Sequence, residues 1–304
     1  MKTRDVMDLL LLAALWGASF IFMRRAVPEF GPVVLIALRV SIAAAFLVPL
    51  LLMRQGKAGF EALKGKWLRV WVMGVLNTAL PFCMLAFALQ YVTGGFGSIL
   101  NATTPLWGAV VAWLWLGDKL NHSRLSGLVI GFAGVLVLVW HKLSWQGGGA
   151  ALAVPAALLA TLSYGVAASF AKRFLPGVNP LSLAMGSQLT ATIILLPVAL
   201  LIWPTHPVSM TAWQGAGVLG IACTAIAYII FFRLLNNVGP AKAIAVTFLI
   251  PVFGVVWGGL FLSEAPTLNM LLGCSIILCG TALSTGLLTL GGKPLAATVA
   301  TKKA

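Results

Sequence analysis

Residues 94–120 read GGFGSILNATTPLWGAVVAWLWLGDKL, and residues 240–266 read PAKAIAVTFLIPVFGVVWGGLFLSEAP. Both are apolar runs of roughly twenty residues, the length of helix that crosses a bilayer. Laid over each other at an offset of 146, Pro105 meets Pro251, Gly108 meets Gly254 and Asp118 meets Glu264. The register holds on either side: Gly74 meets Gly220, Thr78 meets Thr224, Gly127 meets Gly273 and Gly134 meets Gly280. Nearer the N-terminus the offset is 148. It pairs Gly17 with Gly165, Arg24-Arg25 with Lys172-Arg173, Pro28 with Pro176, Pro32 with Pro180 and Pro49 with Pro197. A two-residue length difference in one loop accounts for the change. Glycines and prolines recurring in register over this distance mark an internal duplication, and positions paired by it are called mates below.

Composition sets the class. Hydrophobic residues make up 61% of the 304 and charged residues 9%, against roughly 45–50% apolar and about 25% charged in soluble domains. Mean hydropathy is +1.03. A soluble globule cannot hide that much apolar surface, and disorder requires low hydrophobicity. Outer-membrane strands would be shorter and would alternate. The reading is an all-α integral membrane protein. Charges, glycine/proline clusters and polar breaks divide it into ten spans near 8–26, 32–53, 70–90, 95–116, 124–141, 150–171, 180–203, 213–235, 243–263 and 267–289. The first follows Lys2 and Arg4 as a signal peptide would, but lacks a small-residue cleavage site ahead of polar sequence, so it reads as a retained span.

Charge then orients the chain, whose net charge is +14. With ten alternating spans, Arg24, Arg25, Arg39 and Lys142 fall on one side. All other Lys and Arg, among them Lys293, Lys302 and Lys303, fall on the other. Basic residues mark cytoplasmic loops, so both termini are expected in the cytoplasm and nucleic-acid binding is set aside. Five spans per half is an odd number, so the second half enters the membrane upside down. That is the inverted-topology repeat of many secondary transporters. The expected layout is a first five-helix repeat at 1–146, a second, inverted one at 147–292, and a polar cytoplasmic tail at 293–304. Gly147-Gly148-Gly149 reads as the linker.

Several segments carry a resemblance. They are Trp16-Gly17-Ala18-Ser19-Phe20 in span one, Arg39 in span two, Pro105 in span four, Leu116-Gly117-Asp118-Lys119-Leu120 after it, and Gly127, Gly131 and Gly134 in span five. Taken in order, and largely repeated in the second half, they resemble the drug/metabolite transporter superfamily in its EamA branch. Within that branch they look most like the YddG-type aromatic amino-acid exporters. The likeness covers about residues 8–290. Where relatives often carry Gly-Glu after the fourth span, this chain has Gly117-Asp118, and Ser263-Glu264 in the second half. The resemblance implies a multi-pass exporter of the bacterial inner membrane, with a central cavity between the halves and no prosthetic group.

Inverted repeats place substrate near the bilayer midplane, often where helices are broken. Span four sets Gly94, Gly97, Asn101, Thr104-Pro105 and Gly108 on one face, answered in span nine by Pro240, Ala243, Thr247, Pro251 and Gly254. Small residues let helices approach and prolines kink them, so Pro105 and Pro251 read as gating or structural. Asn101 carries an amide that needs partners when buried. Span three offers Asn77, Thr78 and Phe82, answered by Cys223, Thr224 and Tyr228. Trp16 in span one is answered by Tyr164 in span six. The expected substrate-binding set is therefore Trp16, Asn77, Thr78, Phe82, Asn101, Tyr164, Thr224 and Tyr228. An aromatic wall with a few polar groups suits amino acids with large side chains, and simple helix packing accounts for the same residues equally well. Arg39 lies roughly 10 Å inside span two, where a charge is costly. It has three outlets: snorkelling outward, pairing with Glu29 or backbone carbonyls, or attracting a substrate carboxylate. A gating or structural role is expected.

Asp5, Asp8, Glu29, Glu61, Asp118 and Glu264 all fall at span ends or in loops. So do His122, His141 and His206. Proton-driven pumps place a titrating acid or His within the membrane, so uniport driven by the substrate gradient is expected. No P-loop, H-E-x-x-H or Gly-x-Ser-x-Gly motif occurs. Cys83, Cys223, Cys274 and Cys279 form neither a disulfide framework nor a zinc pattern. The expectation is an exporter of small metabolites, amino acids foremost, with no enzyme activity, cofactor or metal. Its implied partners are the substrate and the bilayer, and a monomer suffices. The competing readings are a carrier of phosphorylated metabolites, which needs several cations around a phosphate, a drug carrier, or a lipid scramblase with a polar groove open to lipid.

Overall fold

The computed structural model describes residues 1–140 and 149–289, and among these all regular structure is helical. Eight helices are long and apolar enough to cross a membrane: α1 Thr3–Phe30, α2 Pro32–Gln55, α3 Trp67–Ala88, α4 Gly94–Leu116, α5 His122–Val139, α6 Gly149–Phe174, α7 Pro180–Leu201 and α8 Met210–Val238. Two shorter apolar helices follow, α9 Val246–Leu262 and α10 Leu268–Ser284. His141, Lys142, Gly147, Gly148, the boundary between 146 and 147, and the tail at 293–304 lie outside the described residues. Gly149, expected in the linker, is instead the first residue of α6 and packs against the Tyr91 ring.

Local chemistry explains the ends. The hydroxyls of Thr93, Ser209 and Thr267 and the amide oxygen of Asn121 each accept a backbone N–H from the first turn of α4, α8, α10 and α5, the usual N-cap arrangement. Asn121 and Thr267 are mates. α1 runs well past the expected 8–26 because Lys2 N–H donates to Asp5 at 3.0 Å at its start and Gly31, at φ 72°, turns the chain only after Phe30.

The bundle is apolar outside and carries polar groups within. Met53, Leu68 and Leu201 are at least 80% exposed, while Arg39 and Gln188 are buried. Soluble proteins do not show apolar surface on this scale, but a lipid-facing one does.

Helix pairing follows one rule. α1 packs on α8 and α9, as α6 packs on α3 and α4. α2 packs on α8 as α7 packs on α3. The pairs α2–α7, α4–α9 and α5–α10 are the other large interfaces, while α1 touches α2 and α4, and α4 touches α10, without an equal contact between their mates. Exchanging each helix for its mate turns the first of these large interfaces into one another and the last three into themselves. The glycines make the close contacts. A Cβ on Gly17 would lie 3.0 Å from the Gly254 nitrogen, and one on Gly165 2.8 Å from the Gly108 nitrogen. Gly127 and Gly134 of α5 meet the backbone of α10 equally closely, and Gly280 meets Gly131. Close backbone approach supplies the dispersion contact that holds helices together in lipid.

Two helices are widened at mated positions. Val75–Ala79 in α3 and Ile221–Ile226 in α8 are π-helical turns, a feature often found at functional sites. α4 breaks at Ala102-Thr103, just before Pro105. The Leu100 carbonyl accepts the Thr103 N–H and hydroxyl at 3.0 and 2.7 Å, and the freed Asn101 carbonyl accepts the Thr104 hydroxyl at 2.8 Å. Pro105 then sits in the first turn of the new helical segment, where its missing N–H costs nothing. Pro251 does not restart its helix. It lies inside α9, and the break falls earlier, at Ile244-Ala245. The mates of Thr103 and Thr104 are Leu249 and Ile250, which have no hydroxyl to take a freed carbonyl.

Candidate substrate-binding cavity

A cavity of about 380 Å³ opens in the middle of the bundle, walled by α1, α2, α3, α4, α6, α8 and the start of α9. Trp16, Asn77, Phe82, Asn101, Tyr164, Thr224 and Tyr228 all line it, as does Arg39. Three of the singled-out residues do not. Pro105 and Pro251 lie off the wall. Thr78 is fully buried, its hydroxyl without a partner. Sequence reasoning missed Ser19, Phe20, Met23, Thr104, Phe231 and Thr247, which also line the space. Ser19 and Phe20 were within reach, since they close the Trp16–Phe20 segment. Phe231 sits one helical turn beyond Tyr228.

The aromatic wall repeats itself. Trp16 meets Tyr228 edge-on with ring centres 6.5 Å apart. Their mates, Tyr164 and Phe82, meet edge-on at 6.4 Å. Such pairs add roughly 0.5–1.5 kcal/mol beyond area burial, and the π-turns at Val75–Ala79 and Ile221–Ile226 come just before Phe82 and Tyr228, one ring of each pair.

Arg39 neither snorkels nor reaches Glu29. It is only 4% exposed. Its Nε donates to the Thr224 hydroxyl at 2.9 Å, its Nη1 to the Met23 sulfur at 3.5 Å, and its guanidinium lies 4.0 Å from the centre of the Phe82 ring. Glu29 instead accepts the Ser209 N–H and hydroxyl at 2.6 and 2.7 Å. The remaining acids also lie away from the cavity. Asp8 pairs with Arg233 at 3.2 Å, Asp5 accepts from Asn237 at 3.1 Å, and Asp118 and Glu264 hold Lys172 and Arg24.

The two ends of the cavity differ. Toward one end its lining residues Phe20, Met23 and Leu85 are buried. At that end Arg24 pairs with Glu264 at 3.6 Å and donates to the Leu89 and Gln90 carbonyls, while Glu264 also accepts the Gly94 N–H at 2.9 Å. Toward the other end Ala168 and Ile244 are exposed. The mate ion pair there, Lys172–Asp118 at 3.1 Å, has side chains 62% and 42% exposed, against 31% and 13% for Arg24–Glu264. One end is sealed and its counterpart is loose. Among the described residues no His, Cys, Asp and Glu gather in a way that could hold a metal.

The model of the EamA-like transporter family matches residues 6–140 and 151–286. The chain belongs to the EamA-like transporter family. As an EamA-like protein it is a multi-pass membrane transporter. The uncharacterized transporter YvbV of Bacillus subtilis (strain 168) is 28% identical over 284 residues, covering 91% of this chain and 90% of its own. A "Probable amino-acid metabolite efflux pump" of Escherichia coli (strain K12) is 25% identical over 295 residues, covering 92% and 94%. A solved crystal structure at 20% identity superposes with a TM-score of 0.65 over 94% of this chain and 99% of its own, so the fold is shared. These matches establish the EamA-like family and do not reach down to a YddG-type branch.

Proposed function

We propose that this EamA-like protein exports small metabolites, neutral amino acids with large apolar or aromatic side chains among them, by alternating access through the central cavity. The observation that carries this reading is the cavity itself. Its volume of about 380 Å³ lies within the range of small-molecule sites, roughly 300–1,000 Å³. Its wall is aromatic, with two amides, several hydroxyls and a guanidinium set into it. The E. coli relative described as a probable amino-acid metabolite efflux pump leans the same way.

In this reading ten helices cross a bacterial inner membrane, both termini are cytoplasmic, and the second half is the first inverted. Supporting it, the family model matches each half separately and the largest helix interfaces survive exchange of the halves. The sealed end then faces outward and the loose end faces the cytoplasm, the state that loads a substrate for export. One chain encloses the cavity, so a monomer suffices. Among the described residues no acid or histidine lines the cavity, which favours uniport down the substrate gradient. A carrier of phosphorylated metabolites fits less well, because among the described residues Arg39 is the one cation on the wall and phosphate recognition draws on several donors.

The test is flux in proteoliposomes with no imposed ion gradient, using radiolabelled phenylalanine, tryptophan, threonine and a sugar phosphate. Saturable amino-acid flux is expected. Trp16→Ala or Tyr164→Ala should reduce it roughly tenfold or more, since each removes a large buried contact. Flux that appears only under a pH gradient would overturn uniport. Sugar-phosphate flux without amino-acid flux would overturn the substrate class.

A further inference from the structure

Arg39 is a buried cation that no protein carboxylate answers. A hydroxyl, a thioether and a ring face share its charge without neutralising it. The chain has six acidic residues. Asp5, Asp8, Glu29, Asp118 and Glu264 are engaged elsewhere, and Glu61 is exposed between α2 and α3. A charge buried without its counter-ion is among the most costly arrangements a fold can hold, and in membrane helices such residues mark function.

Packing does not demand an arginine at this seat. The mate of Arg39 is Ser187. A Cβ on Gly220 would lie 3.2 Å from the Arg39 carbonyl, and a Cβ on Gly74 lies at the same 3.2 Å from the Ser187 carbonyl. The backbone seat is therefore built twice with the same geometry. Ser187 fills its copy by donating to the Ala184 carbonyl of its own helix at 2.9 Å. Thr78, the mate of the Arg39 acceptor Thr224, is left without a partner. The charge is added to one seat alone, and that seat faces the cavity.

We infer that Arg39 is the carboxylate anchor of the cavity, so that the transported species is a monocarboxylate with an apolar or aromatic body whose amino group is dispensable. The inference rests on the transport reading above and narrows its substrate class. A carboxylate completes Arg39 with charge-assisted hydrogen bonds, the stronger kind. An ammonium group finds no acidic side chain on the wall. It meets only neutral groups, chiefly the buried and unpartnered amide oxygen of Asn101 and the aromatic faces. The carboxylate therefore contributes more to binding than the amine does. A dianion would leave its second charge unanswered, which sets the single charge as well.

Four probes on one skeleton separate the two charges: phenylalanine, 3-phenylpropionate, phenylalanine methyl ester and phenethylamine. Each is tested as a competitor of radiolabelled phenylalanine flux in proteoliposomes. The acid lacking an amine should compete within about tenfold of phenylalanine. The ester and the amine should be weaker by roughly 10- to 100-fold, the worth of a hydrogen bond to a charged group. Arg39→Gln should erase the gap between acid and ester, and Arg39→Lys should keep part of it. The ranking on the unaltered protein decides by itself if the variants do not fold. An ester or amine that competes as well as the acid would overturn the anchor and leave transport standing. An Arg39→Gln protein that keeps the ranking would do the same. If phenylalanine itself is not moved and no probe binds, both readings fall.

Discussion

Removing the Glu264 carboxylate should open the sealed end of the cavity, while removing its mate Asp118 should change little. Glu264 accepts the Gly94 N–H at 2.9 Å, a hydrogen bond to a charged group worth about 1.5–3 kcal/mol. Its ion pair with Arg24, at 3.6 Å and partly exposed, adds up to about 1 kcal/mol. These contacts bridge α1, the start of α4 and the loop before α10, so they exist only while that end is closed. A contact shifts a two-state equilibrium only by what it contributes to one state and not the other. Glu264→Ala should then move the balance toward the outward-open form by about 3 kcal/mol, roughly a hundredfold. The Lys172–Asp118 pair is solvent-exposed, and its loss should cost no more than about 1 kcal/mol, roughly fivefold. Spin labels at Arg25→Cys and Leu268→Cys in a cysteine-free background report the gap by pulsed electron resonance in nanodiscs. Both positions are exposed at the sealed end. The expected result is a second, longer distance in Glu264→Ala alone. An unchanged distribution in Glu264→Ala, or an equal change in Asp118→Ala, would refute the assignment of the Arg24–Glu264 pair as the closed gate.

Three other outcomes follow from the packing and the cavity chemistry. Thr78→Val removes a buried hydroxyl that has no partner and should raise stability by about 1 kcal/mol, whereas Thr224→Val strips Arg39 of its acceptor and should cost about 1.5–3 kcal/mol; thermal unfolding in detergent reads both. Gly280→Val pushes a side chain into the backbone of Gly131 and should cost about 1–3 kcal/mol or more, while Gly217→Ala, which meets open space, should leave the melting temperature unchanged or higher. Phenylalanine flux should stay flat from about pH 6 to 8, where histidine would titrate, because among the described residues no histidine or acid lines the cavity; a bell-shaped or sigmoid profile in that range would contradict uniport.

Much of this architecture was legible because residues paired by their spacing in the sequence make matching contacts in the structure. Gly17 and Gly165, aligned by spacing alone, make the same approach to α9 and α4. Trp16 and Tyr164, aligned the same way, make the same edge-on ring contact. Other features left no trace in a linear reading. The π-turns at Val75–Ala79 and Ile221–Ile226 arise from a shift in backbone hydrogen bonding that no residue type signals, and they sit where Asn77 lines the cavity while Thr78 does not. The unequal effect of the two prolines was not legible either, because a proline opens a helix only where freed carbonyls find other donors, and Leu249 and Ile250 have none to offer. The partners of Arg39 were out of reach too. Phe82 and Thr224 belong to α3 and α8, and only the folded bundle brings them to α2.

The central claim is that the cavity is the path of transport, and Ala168 tests it most directly. It lines the cavity and is exposed at the loose end. With Cys83, Cys223, Cys274 and Cys279 replaced, Ala168→Cys should react with a bulky maleimide, phenylalanine should slow that reaction, and complete labelling should stop phenylalanine flux. Complete labelling that leaves flux intact would contradict the account.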